Sequence, residues 1–208
     1  MIAIVDYEGG NLTSVLRALE YLGHKAVITS DHDTIRSAER VIFPGVGSAQ
    51  ATMRVLRASG LDTVLRDDVY ARGTPFLGIC IGVQIIFERS EEENTECLGL
   101  VSGSVTRFPR EVDGERLKVP QIGWNQVQYR REHPLFTGVP DGQTFYFVNS
   151  YHAVPVNDDV VFAHTMYGID FPSVIGQNNL VATQFHLEKS GDAGLRMLDN
   201  FCKWNGKV

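Results

Sequence analysis

Four short apolar runs in the first 80 residues constrain this chain more than any single residue does. Ile2-Ala3-Ile4-Val5 stops at Asp6-Tyr7-Glu8-Gly9-Gly10-Asn11, and Arg40-Val41-Ile42-Phe43 stops at Pro44-Gly45-Val46-Gly47-Ser48. Pro75-Phe76-Leu77 runs into Gly78-Ile79-Cys80-Ile81-Gly82, and Ala26-Val27-Ile28-Thr29 is the remaining run. Each is long enough for a strand and too short for a helix. Helical patterns separate them. Leu12, Val15, Leu16, Leu19 and Leu22 share one stripe closed by Gly23, a short segment follows around 34–38, and longer patterns cover 49–58 and 61–72. This alternation predicts the α/β class: an open, mostly parallel sheet with helices on both faces. Sites in such sheets lie beyond the carboxyl ends of the strands, where the three loops would open together.

The second half has a different texture. From about Leu98 the runs shorten, and Gly103, Pro109, Gly114, Pro120 and Gly123 punctuate them. The pattern predicts additional, largely antiparallel strands over 98–170, including 144–148 and 160–164, with a hairpin at Asp113-Gly114. A further sheet strand is expected over 181–185. Ser190 then caps a final helix that carries Leu195, Leu198, Phe201 and Cys202 on one face. No repeat or linker intervenes, so the 208 residues read as one domain, large enough for a core without staples.

A net charge of −6 with scattered Lys and Arg argues against a nucleic-acid partner. The three cysteines, Cys80, Cys97 and Cys202, are far apart, which predicts no disulfide framework and suits a reducing compartment. Neither Cys-x-x-Cys nor His-Glu-x-x-His occurs, so no metal site is expected. The opening residues lack the basic start of a signal peptide and are too short to span a bilayer. A cytoplasmic protein with no membrane contact is the expectation.

Cys80 is the candidate nucleophile. A strand turning abruptly into a helix exposes the central side chain, aims free helix N–H groups at it and favours thiolate over thiol. The flanking glycines leave room for the tight turn and for a substrate backbone. In isolation such a cysteine is more often a small core residue. A working thiol needs a base, and the base needs an orienting acceptor. His186 has the best context among the histidines: it follows the apolar Val181, Ala182 and Phe185, and Glu188 stands two positions on. In extended backbone those two side chains project to the same side. The backbone N–H of Ile81 would serve a negative oxygen, and Pro44-Gly45-Val46-Gly47 either supplies a second donor or is only a tight crossover turn. The run Glu91-Glu92-Glu93 reads as a solvated helix end or loop.

Taken with these residues, the chain resembles the class I, triad-type glutamine amidotransferases over essentially its whole length. Within them it is similar to the glutaminase subunits of imidazole glycerol phosphate synthase. The opening through Val15, the Phe43–Ser48 loop, Gly78 to Gln84, Gly123-Trp124-Asn125, Tyr146 to Tyr151 and Gln184 to Ser190 carry the resemblance. It implies a flavodoxin-like fold, no cofactor, and hydrolysis of L-glutamine to glutamate and ammonia through a thioester on Cys80, with His186 and Glu188 completing a triad. It also implies backbone oxyanion donors at Val46 or Gly47 and Ile81. Gly47, Gln84, Glu92, Ser150 and Tyr151 would bind glutamine, which gives Glu92 a role that its acidic run did not suggest. The implied partner is a (β/α)8-barrel cyclase subunit that receives ammonia in a heterodimer. Asn11, Gln121, Trp124, Tyr146, Asn149 and Lys189 would lie at the interface or on the signalling route to it. The chain departs from the family where Gln121 and Asn149 replace histidines and where Leu187 replaces a proline.

Overall fold

The computed structural model describes residues 1–207, built around an eight-stranded sheet. Across the sheet the strands are Gln128–Tyr129, Val161–Tyr167, Ile169–Gln177, Leu180–Thr183, Phe76–Ile79, Arg40–Phe43, Ile2–Val5 and Ala26–Thr29. The last five are parallel, in the flavodoxin-like winding in which the first strand lies between the second and third. The other three extend the sheet antiparallel. The central runs are apolar throughout because both faces are covered: Ala3, Ile4, Val5, Val41, Ile42, Phe43, Phe76, Leu77 and Val181 are all fully buried.

Helices Leu12–Tyr21, His32–Ser37 and Ala49–Ser59 occupy the predicted intervals. Asp31 and Ser48 cap the latter two by accepting the backbone N–H of Thr34 and Ala51. The pattern over 61–72 resolves differently from a plain α-helix. Leu61–Thr63 is α-helical and Val64–Tyr70 is a π-helix, while Leu61, Val64, Leu65 and Val69 remain the buried face.

The second half is largely antiparallel. Gly103–Arg107 pairs with Tyr151–Pro155, and Gln121–Gln126 pairs with Thr144–Asn149. The Asp113-Gly114 turn joins Glu111–Val112 to Glu115–Arg116, with both turn residues at positive φ. Two expectations fail here. The strand predicted over 181–185 ends at Thr183; Gln184 N still donates to Ser173 O of the neighbouring strand, but His186 N has turned to Tyr146 O. Ser190 precedes the final helix, Gly191–Lys203, without capping it. Its hydroxyl instead accepts from Tyr146 N and donates to His186 O.

Candidate active site

Cys80 sits between the strand Phe76–Ile79 and the helix Ile81–Ile85 with φ 55° and ψ −100°. A side chain at positive φ costs about 1–3 kcal/mol, and here the elbow is pinned by a bond from Cys80 N to Thr183 O. The flanking glycines give the room that the tight turn needs. A Cβ on Gly82 would lie 2.4 Å from the Phe43 carbonyl oxygen, and one on Gly78 would lie 2.9 Å from the Gly82 backbone. They let the helix start settle directly onto the strands.

His186 and Glu188 meet, though not by strand alternation. Leu187–Lys189 is a 3-10 turn, and this turn folds the carboxylate back so that His186 Nδ1 donates to Glu188 Oε1 at 2.7 Å. The two side chains are 1% and 0% exposed. Burial opposes a charge on His186, but its interactions with Cys80 and Glu188 more than offset that and raise its pKa to about 10. The backbone is tied as well, since His186 N donates to Tyr146 O.

Two contacts were not legible in the sequence. Asn11, at φ 74°, sends its amide to Glu188 Oε1 instead of capping the helix that follows it. Gln184, fully buried, points Nε2 at the Cys80 sulfur from 3.9 Å. Asn11 carries one local signal, because asparagine after Gly9-Gly10 tolerates the left-handed conformation.

A cavity of about 240 Å³ opens at Cys80, and Val46, Gly47, Ile81, Gln84, Glu92, Ser150 and Tyr151 line it together with Pro120, Val148 and Asn149. Glu92 accepts the Ala49 N–H at 2.7 Å, while burial raises its pKa. A solvated acidic run does not describe it. The Ile81 N–H expected to serve an oxyanion instead donates to Gly45 O across a long 3.5 Å. Gly45 and Gly47 stand at φ 151° and 134°, backbone that glycine adopts freely. A larger groove of about 770 Å³ beside Tyr129, His133 and Phe136 contains none of these residues.

Of the six residues expected at the interface or on the route to it, Asn11 bonds Glu188, and the other five divide into two sets. Trp124 is 55% exposed beside the exposed Ile122, with the Tyr146 ring edge-on at 6.0 Å, and Lys189 is exposed nearby in sequence to the His186 turn. Gln121 and Asn149 face inward, buried and directly opposite each other across the ladder. Gln121 donates to Asn125 Oδ1 and Asn149 to Tyr151 O.

The model of the family "Glutamine amidotransferase class-I" matches residues 3–204. The chain is 50% identical over 204 residues to the imidazole glycerol phosphate synthase subunit HisH of Dehalococcoides mccartyi, covering 98% of this chain and 97% of that one. It is 47% identical over 212 residues to the HisH of Chloroflexus aurantiacus, covering 100% and 98%. Among solved structures, a glutamine amidotransferase superposes with TM-score 0.73 at 19% identity, covering 97% of this chain and all of the other. A glutamine amidotransferase from Thermotoga maritima gives 0.65 at 14% identity, covering 97% and 82%. At those identities the structures speak for the fold.

Proposed function

The chain belongs to the class-I glutamine amidotransferase family, and from that premise we propose that it is the glutaminase subunit of an imidazole glycerol phosphate synthase. It releases ammonia from L-glutamine for a (β/α)8-barrel cyclase partner in histidine biosynthesis. The observations that carry the chemistry are the buried His186, bonded to Glu188 through Nδ1 with no partner at Nε2 among the described residues, and the elbow that sets Cys80 on a cavity.

In this reading the glutamine carboxamide enters the cavity toward Cys80. Gln84, the carboxylate of Glu92 and the backbone near Gly47, Ser150 and Tyr151 hold the α-amino and α-carboxyl groups. His186 keeps the proton of Cys80, the sulfur attacks the carboxamide carbon, and the tetrahedral oxygen takes the negative charge. Protonated His186 then gives its proton to the departing nitrogen, which leaves ammonia and a glutamyl thioester. Water, deprotonated by His186, attacks the thioester and releases glutamate and the free thiol. Glu188 holds the imidazole in the orientation both steps need.

The oxyanion side is the part that must change. While Gly45 O accepts from Ile81 N, a carbonyl oxygen sits where a negative oxygen needs donors. The free subunit is therefore a slow glutaminase, and docking of the cyclase with its nucleotide turns the Pro44 to Gly47 peptides. The surface of exposed Ile122 and Trp124 with the half-buried Tyr146, together with Lys189, meets the barrel.

The test combines the purified chain with the histidine-pathway cyclase of the same organism and its phosphoribulosyl aminoimidazole-carboxamide nucleotide, and measures glutamate release. Release that appears in the mixture and vanishes in Cys80→Ala supports the reading. Full turnover by the free chain, unchanged by cyclase and nucleotide, contradicts the coupling. No turnover in any mixture contradicts the activity.

A further inference from the structure

The Tyr7 ring stacks on Phe43 at 4.6 Å and is 4% exposed, yet its hydroxyl has no hydrogen-bond partner among the described residues. The chain makes room for this phenol on two sides. A Cβ on Gly45 would lie 1.6 Å from the hydroxyl oxygen, and one on Gly9 would lie 2.1 Å from ring Cζ. A buried donor without an acceptor is unfavourable, so the place where it lies is informative. It lies against the glycine whose carbonyl makes the long bond to Ile81 N.

We propose that the Tyr7 hydroxyl is the catch for the Gly45 carbonyl when the Gly45–Val46 peptide turns, which makes Tyr7 a positioning residue of the oxyanion pocket. This rests on the glutaminase reading above. The C=O and N–H of a trans peptide point in opposite directions. Turning this peptide lifts the oxygen from Ile81 and swings the Val46 N–H toward the cavity, so one rotation supplies two oxyanion donors. The displaced oxygen needs a donor of its own inside the protein, and the Tyr7 hydroxyl is the unused one beside it. Burial and the neighbouring Cys80 raise the phenol pKa, which keeps the catch protonated. The same loop reaches further. Gly10 has space for a Cβ only 3.0 Å from Val46 Cγ2, and Asn11 holds Glu188. A displacement of residues 7–11 therefore acts on the oxyanion loop and on the triad carboxylate together.

Tyr7→Phe removes the hydroxyl and keeps the stacked ring. With cyclase and nucleotide present, kcat for glutamine is expected to fall roughly tenfold with KM within about twofold, the effect of one lost hydrogen bond. The thermal midpoint should stay level or rise, because the unpaired donor has gone. In the free chain, amide exchange at Ile81 should slow, since the turned conformer that exposes this N–H is less populated. An unchanged kcat, or a loss of kcat that only tracks a lower midpoint, overturns the proposal. If the wild type releases no glutamate at all, the glutaminase reading falls. Ile81 exchange then still decides the catch: unchanged or faster exchange in Tyr7→Phe sinks it.

Discussion

His186 and His133 are equally hidden, 1% and 5% exposed, yet the pKa of one is raised to about 10 and that of the other is lowered to about 4. His133 sits among the rings of Phe162, Trp204 and Phe136, with centroids 4.9, 5.1 and 6.1 Å away. Its Nδ1 accepts the Leu135 N–H, which suits a neutral ring, and burial alone lowers its pKa. His186 suffers the same desolvation but has the Glu188 carboxylate on Nδ1, and its interactions with Cys80 and Glu188 raise its pKa. Burial does not make a histidine reactive. A partner that prefers its charged form does, and the partner is what separates the candidate site from the packed ring cluster around His133.

The sharpest way to break the comparison is to make His186 resemble His133. Glu188→Gln keeps the shape but removes the charge that favours imidazolium. We expect kcat for glutamine to fall roughly 10²–10⁴-fold with little change in KM, and the imidazole pKa, followed by NMR, to drop. A variant with more than half of wild-type kcat would detach Glu188 from the chemistry.

The converse prediction concerns stability, and the two rings act in opposite pH windows. For His133 the folded pKa lies below the unfolded value of about 6.5, so the unfolded chain takes up the proton first. Its contribution is present above about pH 6.5 and is lost as pH falls toward 4, a span worth about 3 kcal/mol. For His186 the folded pKa is raised, so its contribution is present below about pH 6.5 and is lost as pH rises toward 10. His133→Asn retains an acceptor for Leu135 N and cannot titrate. Denaturant unfolding of this variant should show a flatter acid limb between pH 6.5 and 4 than the wild type, whatever its absolute stability. An identical acid limb would show that another group causes the acid loss.

The sequence is most readable where one physical demand dominates. The central strands are covered on both faces, so Ala3, Ile42 and Leu77 sit in unbroken apolar runs and the loops after them mark the site edge. Cys80 was visible because its turn chemistry is local; His186 and Glu188 were visible by type and spacing, although a 3-10 turn and not strand alternation brings them together. Ser190 misled because its hydroxyl serves two chain segments, Tyr146 and His186, that a capping rule does not see. Gly78 and Gly82 were readable as turn glycines, but the approach to the Phe43 carbonyl that also requires Gly82 was not. Contacts such as Tyr7 against Gly45 and Asn11 on Glu188 join distant segments through a single side chain. No periodicity announces them.

Asn11 offers the smallest effect and the cleanest one to isolate. Its φ of 74° suits glycine, and its side chain caps nothing, so Asn11→Gly deletes the amide that reaches Glu188 while leaving the turn relaxed. Losing that bond costs about 1 kcal/mol, which should lower kcat roughly fivefold and leave the thermal midpoint almost unmoved. Asn11→Ala should lose the same activity and also be less stable, because a Cβ at positive φ is strained by about 1–2 kcal/mol. If Asn11→Gly keeps wild-type kcat while Asn11→Ala does not, the turn is what matters and the bond to Glu188 is incidental. If both lose activity equally and only the alanine variant loses stability, His186 depends on Glu188 and Asn11 in series, where His133 has only the Leu135 N–H.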